Sequence, residues 1–326
     1  MGIKAFIVKR TIYSGILVLF VLTLNFIIFA LMPGDPTVAF AATGKLTDDQ
    51  IKQVIEMYGL TQDLGTRYVR YVANMLTFQL GYSFFSQKPV QQDMMIRLPN
   101  TLLLVGLSSI FAMIFGVILG VFAASRRGSA FDTSSVFVSV MTFAFPSFWM
   151  GMISLLIFHY WLGWFPGAGS MPREWGITPP NPLELIVGRM TYLALPLMVL
   201  TLFQYGGYLL LTRACMLETL TEDYIVTARA KGVKERNVLF KHALKNASLP
   251  LITSAALSFG FLLTGAIITE QVFTYPGMGH WLWQAITQAD YPVLQAVFYI
   301  IALCVIAANF IADLLYGVID PRIRYG

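Results

Sequence analysis

The chain has 326 residues, of which 57% are hydrophobic and only 12% are charged. A soluble domain carries about 25% charged residues, so this composition excludes an ordinary soluble protein and indicates a chain largely embedded in lipid. The net charge of +5 could suggest nucleic-acid binding. The positions of the basic residues, given below, instead indicate the orientation of the chain in a membrane. Cys215 and Cys304 are too few and too far apart for a disulfide framework.

Six stretches are long and apolar enough to cross a membrane, since a helical span needs about 20 mostly apolar residues. Lipid leaves the backbone groups of open sheets and loops without hydrogen-bond partners, so all six are predicted to be helices. The sequence therefore predicts an all-α membrane protein with six transmembrane helices. The predicted spans are Thr11–Met32, Thr101–Ser125, Val136–Trp161, Met190–Thr212, Leu251–Thr269 and Val293–Ala312.

The first apolar stretch has an alternative interpretation as a cleavable signal peptide. Lys4, Lys9 and Arg10 precede it, and Ala39-Phe40-Ala41 follows it. The stretch is longer than the roughly 7–15 apolar residues of a signal peptide, so we favour a retained span.

The basic residues predict the orientation of the spans, because Lys and Arg collect in cytoplasmic loops. Fourteen of the 22 basic residues fall on the side that holds both termini and the 214–250 loop. We therefore expect both termini and this loop to be cytoplasmic. The fourteen residues are Lys4, Lys9, Arg10, Arg126, Arg127, Arg213, Arg229, Lys231, Lys234, Arg236, Lys241, Lys245, Arg322 and Arg324.

The exported segments divide the predicted chain into residues 1–32 (N-terminus and first span), 33–99 (exported loop) and 100–326 (core with five spans). Thr47 and Gln50 have the spacing of a helix-capping box, and Tyr68–Met75 predicts a second, partly apolar helix. The 33–99 loop is either a small cap over helix ends or a docking surface for an external partner. The exported 162–189 loop is rich in Pro and Gly, which disfavours long regular structure.

Several kinds of catalytic site are absent from the sequence. It has neither a GxxxxGK[ST] phosphate loop nor an HExxH motif, so the chain cannot hydrolyse ATP by the usual P-loop route. The predicted spans keep His159, His242 and His280 apart, which argues against a shared metal or nucleophile. Buried acids, which ion-coupled transporters use, are confined to span ends at Glu270 and Asp313.

The 214–250 loop is the longest charged segment between two predicted spans. Tyr224, Ala228 and Lys231 recur at helical spacing, and Gly232 can end that helix with a positive φ. A second helix is predicted over Glu235–Lys245, with lysines on one face and Leu239, Phe240 and Ala243 on the other. Such a two-faced helix suits either a groove in a partner protein or an anionic lipid surface, and the spacing leaves both open.

Motifs along the whole chain resemble those of one transporter family. DYIVTARAKG with LFKHALKNASLP resembles the EAA loop of importer-type ABC permeases, and the chain is most similar to the B-type subunit of the dipeptide/oligopeptide subfamily. The supporting motifs, in order, are LMPGDP (31–36), YGL (58–60), RLPNTL (97–102), FPSFWMG (145–151), LGWFP (162–166), FTYPGMG (273–279), DYPVLQ (290–295) and DLLYGVIDPRIR (313–324).

This resemblance implies a permease that imports di- or oligopeptides across a prokaryotic inner or plasma membrane. The implied partners are a second homologous permease, two ATPase subunits that hold ATP and Mg²⁺, an extracytoplasmic substrate-binding protein, and lipid. It implies no cofactor, metal or catalytic residue on this chain, and no nucleic acid. The leading Glu of the EAA consensus falls at Val226, which departs from the pattern.

Two sets of site residues are predicted, of which the first is implied by the resemblance. The ATPase-coupling set lies in the 214–250 loop, and the candidate gate or pathway set lies in the third and fifth spans. The sequence slightly favours Glu270 as a marker of the membrane boundary over a gate residue, and a small polar residue such as Ser147 more often packs helices together. The coupling set is Asp223, Tyr224, Thr227, Ala228, Arg229, Ala230, Lys231 and Gly232; the gate or pathway set is Phe145, Pro146, Ser147, Gly265 and Glu270.

Three alternatives remain beside a peptide permease. The same role for oligosaccharides, glutathione or nickel is one, since aromatic residues suit sugar stacking as well as lipid interfaces. A secondary transporter is another, but it predicts buried ionisable groups or inverted repeats, which are not evident. A membrane enzyme is disfavoured by the separated histidines.

Overall fold

In the computed structural model, the described part of the chain comprises residues 3–30, 55, 62–176 and 180–319. Within these ranges the side chains of residues 3, 4, 173, 176, 249, 253, 255–265 and 315–319 are not described. The predicted capping box at Thr47 and Gln50 lies outside the described residues.

Every regular element in the described ranges is helical, apart from one isolated antiparallel bridge between Tyr82 and Pro89. This confirms the predicted all-α class. The helices are α1 (Ile3–Ala30), α2 (Leu64–Leu76), α3 (Val90–Ser125), α4 (Ala130–Ala144), α5 (Ser147–Ser154), α6 (Pro182–Thr219), α7 (Asp223–Ala230), α8 (Leu244–Val272), α9 (Met278–Thr287) and α10 (Tyr291–Ile319).

The chain forms two compact units, which consist of Met1–Thr101 with Gly277–Gly326 (unit 1) and of Leu102–Pro276 (unit 2). The proposed division at residues 32 and 99 stays a prediction.

Unit 1 is built on the pairing of α1 with α10. The guanidinium of Arg10 lies 2.9 Å from the Asp313 carboxylate, and the Asn25 amide donates to the Gln295 carbonyl at 3.0 Å. Asn25 also donates to the Tyr71 hydroxyl of α2 at 2.9 Å. Tyr71 and Met75 are the buried residues of α2, which confirms the helix predicted from Tyr68 to Met75.

The core of unit 2 is formed by α3 and α6, which run parallel along three buried apolar clusters. Leu104 and Val105 pack with α6 near Leu195, and Ala112 packs further along with Tyr205. Gly116 and Gly120 have the small-xxx-small spacing that lets two membrane helices approach closely. A Cβ at Gly116 would lie 2.5 Å from the Tyr208 Cβ, and one at Gly120 would lie 2.6 Å from the Thr212 Cβ.

Four described helices (α1, α3, α6 and α10) are long and apolar enough to cross a membrane, and α4 with α5 makes a fifth candidate if the bent pair is one span. The predicted fifth span, Leu251–Thr269, lies within α8. The prediction of a single helix over Val136–Trp161 is wrong, because the chain bends by 99° between α4 and α5.

The bend has a local cause in Pro146. A proline lacks the N–H that a continuing helix needs, and it excludes helical conformations at the preceding residue. Phe145 accordingly has φ −77° and ψ 136°, an extended conformation. The second half continues from α5 into a π-helix, Leu155–Trp161.

The fourth predicted span also begins earlier than expected. α6 starts at Pro182, inside the loop that we expected to lack regular structure. Asn181 caps it: its side chain accepts from the Glu184 N–H at 2.9 Å, and the Glu184 carboxylate accepts from the Asn181 N–H at 3.1 Å. Proline suits the first helical turn, where its missing N–H has no helical partner anyway.

Candidate functional site

The predicted coupling residues form α7 and the turn that ends it. Asp223 lies in the first turn and Arg229 in the last, where each charge opposes the helix dipole. Gly232 has φ +72°, its N–H donates to the Arg229 carbonyl at 2.9 Å, and the Val233 N–H donates to the Ala228 carbonyl at 3.3 Å. These bonds form a Schellman cap, so the predicted positive φ at Gly232 is confirmed.

One edge of α7 is buried in unit 2. Ile225 is fully buried and Ala228 is 8% exposed, and both pack with Val121 of α3 and Met216 of α6. We call this group the α7 cluster. Its buried members are Val121, Ala124, Met216, Ile225, Ala228, Val238, Leu239, Ala243 and Ala247.

The other face of α7 is exposed. Of the eight predicted coupling residues, Ala228 alone is buried, so it belongs to the base of the helix and not to its outer surface. The exposed seven are Asp223, Tyr224, Thr227, Arg229, Ala230, Lys231 and Gly232. Val226, where the sequence departs from the consensus, is 58% exposed on the same face. The structure therefore adds Val226 as an apolar candidate contact.

Arg229 pairs with Glu235 across the turn. Nη2 lies 2.8 Å from Oε1 and Nε lies 3.2 Å from Oε2, a two-point contact. Hydrogen bonding to Arg229 lowers the pKa of the Glu235 carboxyl, and the same contact raises the pKa of Arg229. The side chains are 55% and 43% exposed, so water and salt screen the pair strongly.

The predicted second helix of the loop is not separate. Glu235–Asn237 leads through a π-helical segment, Val238–Ala243, directly into α8. The predicted faces are correct, since Lys241 and Lys245 are exposed whereas Leu239 and Ala243 are buried. The apolar face packs within the α7 cluster, however, and so neither a partner groove nor a lipid surface is needed to cover it.

A cleft of about 290 Å³ lies beside α7, between α6 and α8. The Asn246 amide donates to the Tyr224 hydroxyl at 2.6 Å, which ties the first turn of α7 to α8. Cys215, Glu218 and Glu222 also line the cleft.

An ion pair that we did not predict lies at the α7 end of α6. Arg213 Nε is 2.6 Å from Asp132 Oδ1, and Nη2 is 2.8 Å from Oδ2. The Asp132 side chain is only 4% exposed. The sequence shows an acid before the third span and a base after the fourth, but nothing in it states that the two meet.

The gate or pathway candidates lie elsewhere in unit 2. The Phe145 ring stacks on Trp149 with centroids 4.7 Å apart, and Pro146 and Ser147 complete the bend. Glu270 is fully buried near the end of α8. Gly265 lies in α8 but among the side chains that are not described. A Cβ at Gly151 would lie 3.0 Å from Val272 Cγ1, so α5 packs against that end of α8.

Tyr275 lies in the segment after α8. Its pKa is raised to about 12, mainly because its hydroxyl is buried and secondly because the negative charge of Glu270 is nearby.

In the described part of the chain, no group of three or more His, Cys, Asp or Glu is placed to hold a metal ion.

The sequence pattern of the family described as "Binding-protein-dependent transport system inner membrane component" matches residues 116–325. The chain belongs to this family. The pattern of its N-terminal part, "Binding-prot-dependent transport system membrane comp, N-term", matches residues 3–105. Membership makes the chain a multi-pass membrane transport component and not an enzyme.

Several relatives are similar to this chain over nearly their whole length. The oligopeptide transport system permease protein AppB of Bacillus subtilis (strain 168) is 39% identical, with 98% of this chain and 99% of the relative covered. The di/tripeptide permease protein DppB of Pseudomonas aeruginosa (strain UCBPP-PA14) is 37% identical, and the dipeptide permease protein DppB of Escherichia coli (strain K12) is 35% identical. In both, 93% of each chain is covered.

A solved structure shows the same fold. The inward-facing methionine ABC transporter MetNI contains a chain that matches with a TM-score of 0.54 at 15% identity. The match covers 72% of this chain and 99% of that one.

Proposed function

We propose that this chain is the membrane permease subunit of an ATP-driven ABC importer that moves di- and oligopeptides into the cell. The observation that supports this most strongly is α7: its outer face is exposed and its inner edge is packed on α3 and α6. A helix mounted in this way can receive a push from an ATPase and pass it to helices that cross the membrane.

The partners in this proposal are a second homologous permease, two ATPase subunits and an extracytoplasmic substrate-binding protein. ATP and Mg²⁺ act on the ATPases, and the chain itself holds neither. The chain lies in the inner or plasma membrane with both termini and the 214–250 loop in the cytoplasm, which agrees with the distribution of basic residues. Residues 33–99 face outward, where a binding protein arrives.

The proposed coupling surface comprises the exposed seven residues of α7 and its cap together with Val226. Nucleotide must bind two states of the complex with different free energy to drive switching between them. The bend at Phe145–Ser147 and the buried Glu270, with Gly265 on the same helix, are the proposed gate or pathway. The peptide cargo is supported by the three relatives, whose names specify peptides, over oligosaccharides, glutathione or nickel.

The test is uptake by the complete complex in proteoliposomes, with binding protein outside and ATP supplied to the ATPase side. We expect ATP-dependent accumulation of labelled di- or tripeptide, and none of maltotriose, glutathione or Ni²⁺. Uptake that continues without ATP would contradict the importer, and uptake of one of the other cargoes would reassign the substrate.

Gly232→Val tests the coupling helix within that assay. Valine at φ +72° brings strain of about 1–2 kcal/mol to the cap of α7, which shifts the equilibrium away from the native cap by roughly 5- to 30-fold. We expect uptake to fall by up to that factor. Gly163→Val is the matched control, because Gly163 also has a positive φ (+62°) with no atom within 4 Å, but lies far along the chain from α7. Equal losses in the two variants would count against a coupling role.

A further inference from the structure

The pairing of α4 with α6 in unit 2 is antiparallel and in register. Three contacts at successive levels define it, and a step toward the C-terminus along α4 is a step toward the N-terminus along α6. From the α7 end outward, the contacts are Asp132 with Arg213, Ser139 with Gly206, and Phe143 with Phe203.

The outer two levels are packing contacts. A Cβ at Gly206 would lie 2.7 Å from the Ser139 carbonyl oxygen, so the two backbones touch there. The rings of Phe143 and Phe203 stack with centroids 6.0 Å apart and planes 17° apart. Packing contacts of this kind prevent α4 and α6 from moving closer together. They hold the two helices together only weakly, because dispersion attraction falls quickly as surfaces separate.

The level nearest α7 is held differently. Asp132 accepts both guanidinium bonds of Arg213 and the Gly128 N–H at 3.0 Å, while its own N–H donates to the Ser129 hydroxyl at 3.2 Å. The carboxylate therefore secures the turn between α3 and α4 as well as α6. A planar two-point pair constrains orientation as well as distance, which a single apolar contact does not.

Arg213 also lies on α6 close to a residue that packs in the α7 cluster. Met216, three residues further along α6, is fully buried in the α7 cluster against Ile225 and Ala228. Residues three apart on a helix share a face, so one short stretch of α6 contacts α7 through Met216 and α4 through Arg213.

The α4 helix continues to the bend at Phe145–Pro146, and α5 beyond it packs at Gly151 against Val272. Val272 is two residues from Glu270 in the candidate gate. A continuous chain of contacts thus joins α7 to the bend and the buried end of α8, and the Asp132–Arg213 pair is its charged link.

We propose that Asp132 and Arg213 are positioning residues that transmit the movement of the coupling helix to α4 and the bent span. This inference rests on the proposed function. The pair makes α4 follow α6 when an ATPase displaces α7, and without it α6 moves while α4 lags. Loss of the pair therefore uncouples ATP hydrolysis from transport: ATP is still hydrolysed, but fewer peptides are imported for each ATP.

The experiment measures peptide molecules imported per ATP hydrolysed, in the complete reconstituted complex. Asp132→Asn keeps the acceptor for the Gly128 N–H but removes the charge, and Arg213→Gln removes the other partner. We expect each to lower the ratio about tenfold with ATP hydrolysis retained, and the exchange Asp132→Arg with Arg213→Asp to restore part of it. Arg213→Lys, which keeps the charge without the two-point contact, is expected to lie between Arg213→Gln and the wild type.

Asp313→Asn is the control, since it breaks the 2.9 Å pair with Arg10 in unit 1 and should leave the ratio unchanged. If the wild-type complex itself shows no ATP-driven peptide uptake, the proposed function fails before the pair is tested. Wild-type ratios in assembled Asp132→Asn and Arg213→Gln complexes would overturn the proposal. So would failure of every variant to assemble, including the neutral double variant Asp132→Asn with Arg213→Gln, because the pair would then serve folding alone.

Discussion

Gly232 shows how a single residue defines the coupling surface. Its positive φ lets two N–H groups fold back on the last carbonyls of α7 and turns the chain toward Glu235. Sequence reasoning predicted this position, because glycine adopts positive φ without steric cost. It did not predict that Ala228 faces inward, since helical spacing shows which residues share a face but not which face is covered.

The Arg229–Glu235 pair stabilises the same turn weakly and in a pH-dependent way. The pKa of Glu235 is lower in the folded protein than in the unfolded chain, so the pair's contribution to stability is complete above the unfolded pKa and disappears as pH falls through the folded pKa. We expect Glu235→Gln to destabilise α7 by no more than about 1 kcal/mol, because the pair is exposed.

Hydrogen exchange of the α7 amides at pH 7 in low and high salt measures this contribution. Protection should fall slightly in Glu235→Gln, and added salt should shrink the difference from wild type. A difference that salt leaves unchanged would show that the pair acts through something other than a screened ion pair.

At the scale of elements, unit 2 depends on glycines that let helices touch. A methyl group at Gly206 meets a backbone oxygen and Ser139 Cβ at 2.7 and 3.1 Å, so α4 and α6 must separate to admit it. We expect Gly206→Ala to destabilise the protein by about 1–3 kcal/mol, as overpacking does. A lower thermal unfolding temperature in detergent should report it.

Gly207→Ala is the neighbouring control. A Cβ there meets no atom within 4 Å, and alanine is the better helix former, so stability should stay the same or rise. Equal destabilisation by both substitutions would contradict the close approach of α4 and α6.

The elements also show where prediction from sequence succeeds. Long apolar runs identify α1, α3, α6 and α10, because the lipid requirement leaves a strong composition signal. The 99° bend in the third span was missed although Pro146 was visible, since many membrane helices contain proline without breaking. Pro196 lies inside α6, which continues through it.

The Asp132–Arg213 pair could not be predicted from the sequence, for a different reason. The two residues are 81 positions apart, and several acids and bases lie near the predicted span ends. Only the register of α4 against α6 brings this acid to this base. That register depends on Gly206 and Ser139, whose contact no local pattern reveals.

At the scale of the whole molecule, the features assigned to coupling and to the candidate gate lie in unit 2. Unit 2 carries the proposed coupling surface, the α7 cluster and the bent span, whereas unit 1 carries α1, α2, α9 and α10. The chain belongs to a family of membrane components of transport systems, in which ATP is hydrolysed by separate subunits. The absence of a phosphate loop from the sequence agrees with this division.

The central claim is that α7 contacts an ATPase in the working complex. The most direct measurement is crosslinking from a single cysteine at Thr227 to the ATPase subunits, in a chain whose Cys215 and Cys304 are replaced by serine. Thr227 is exposed on α7, and exposed Lys88, on the segment expected to be exported, is the control position. We predict that Thr227→Cys forms a covalent product with an ATPase subunit and that Lys88→Cys does not; no product from Thr227→Cys, or an ATPase product from Lys88→Cys, would contradict the account.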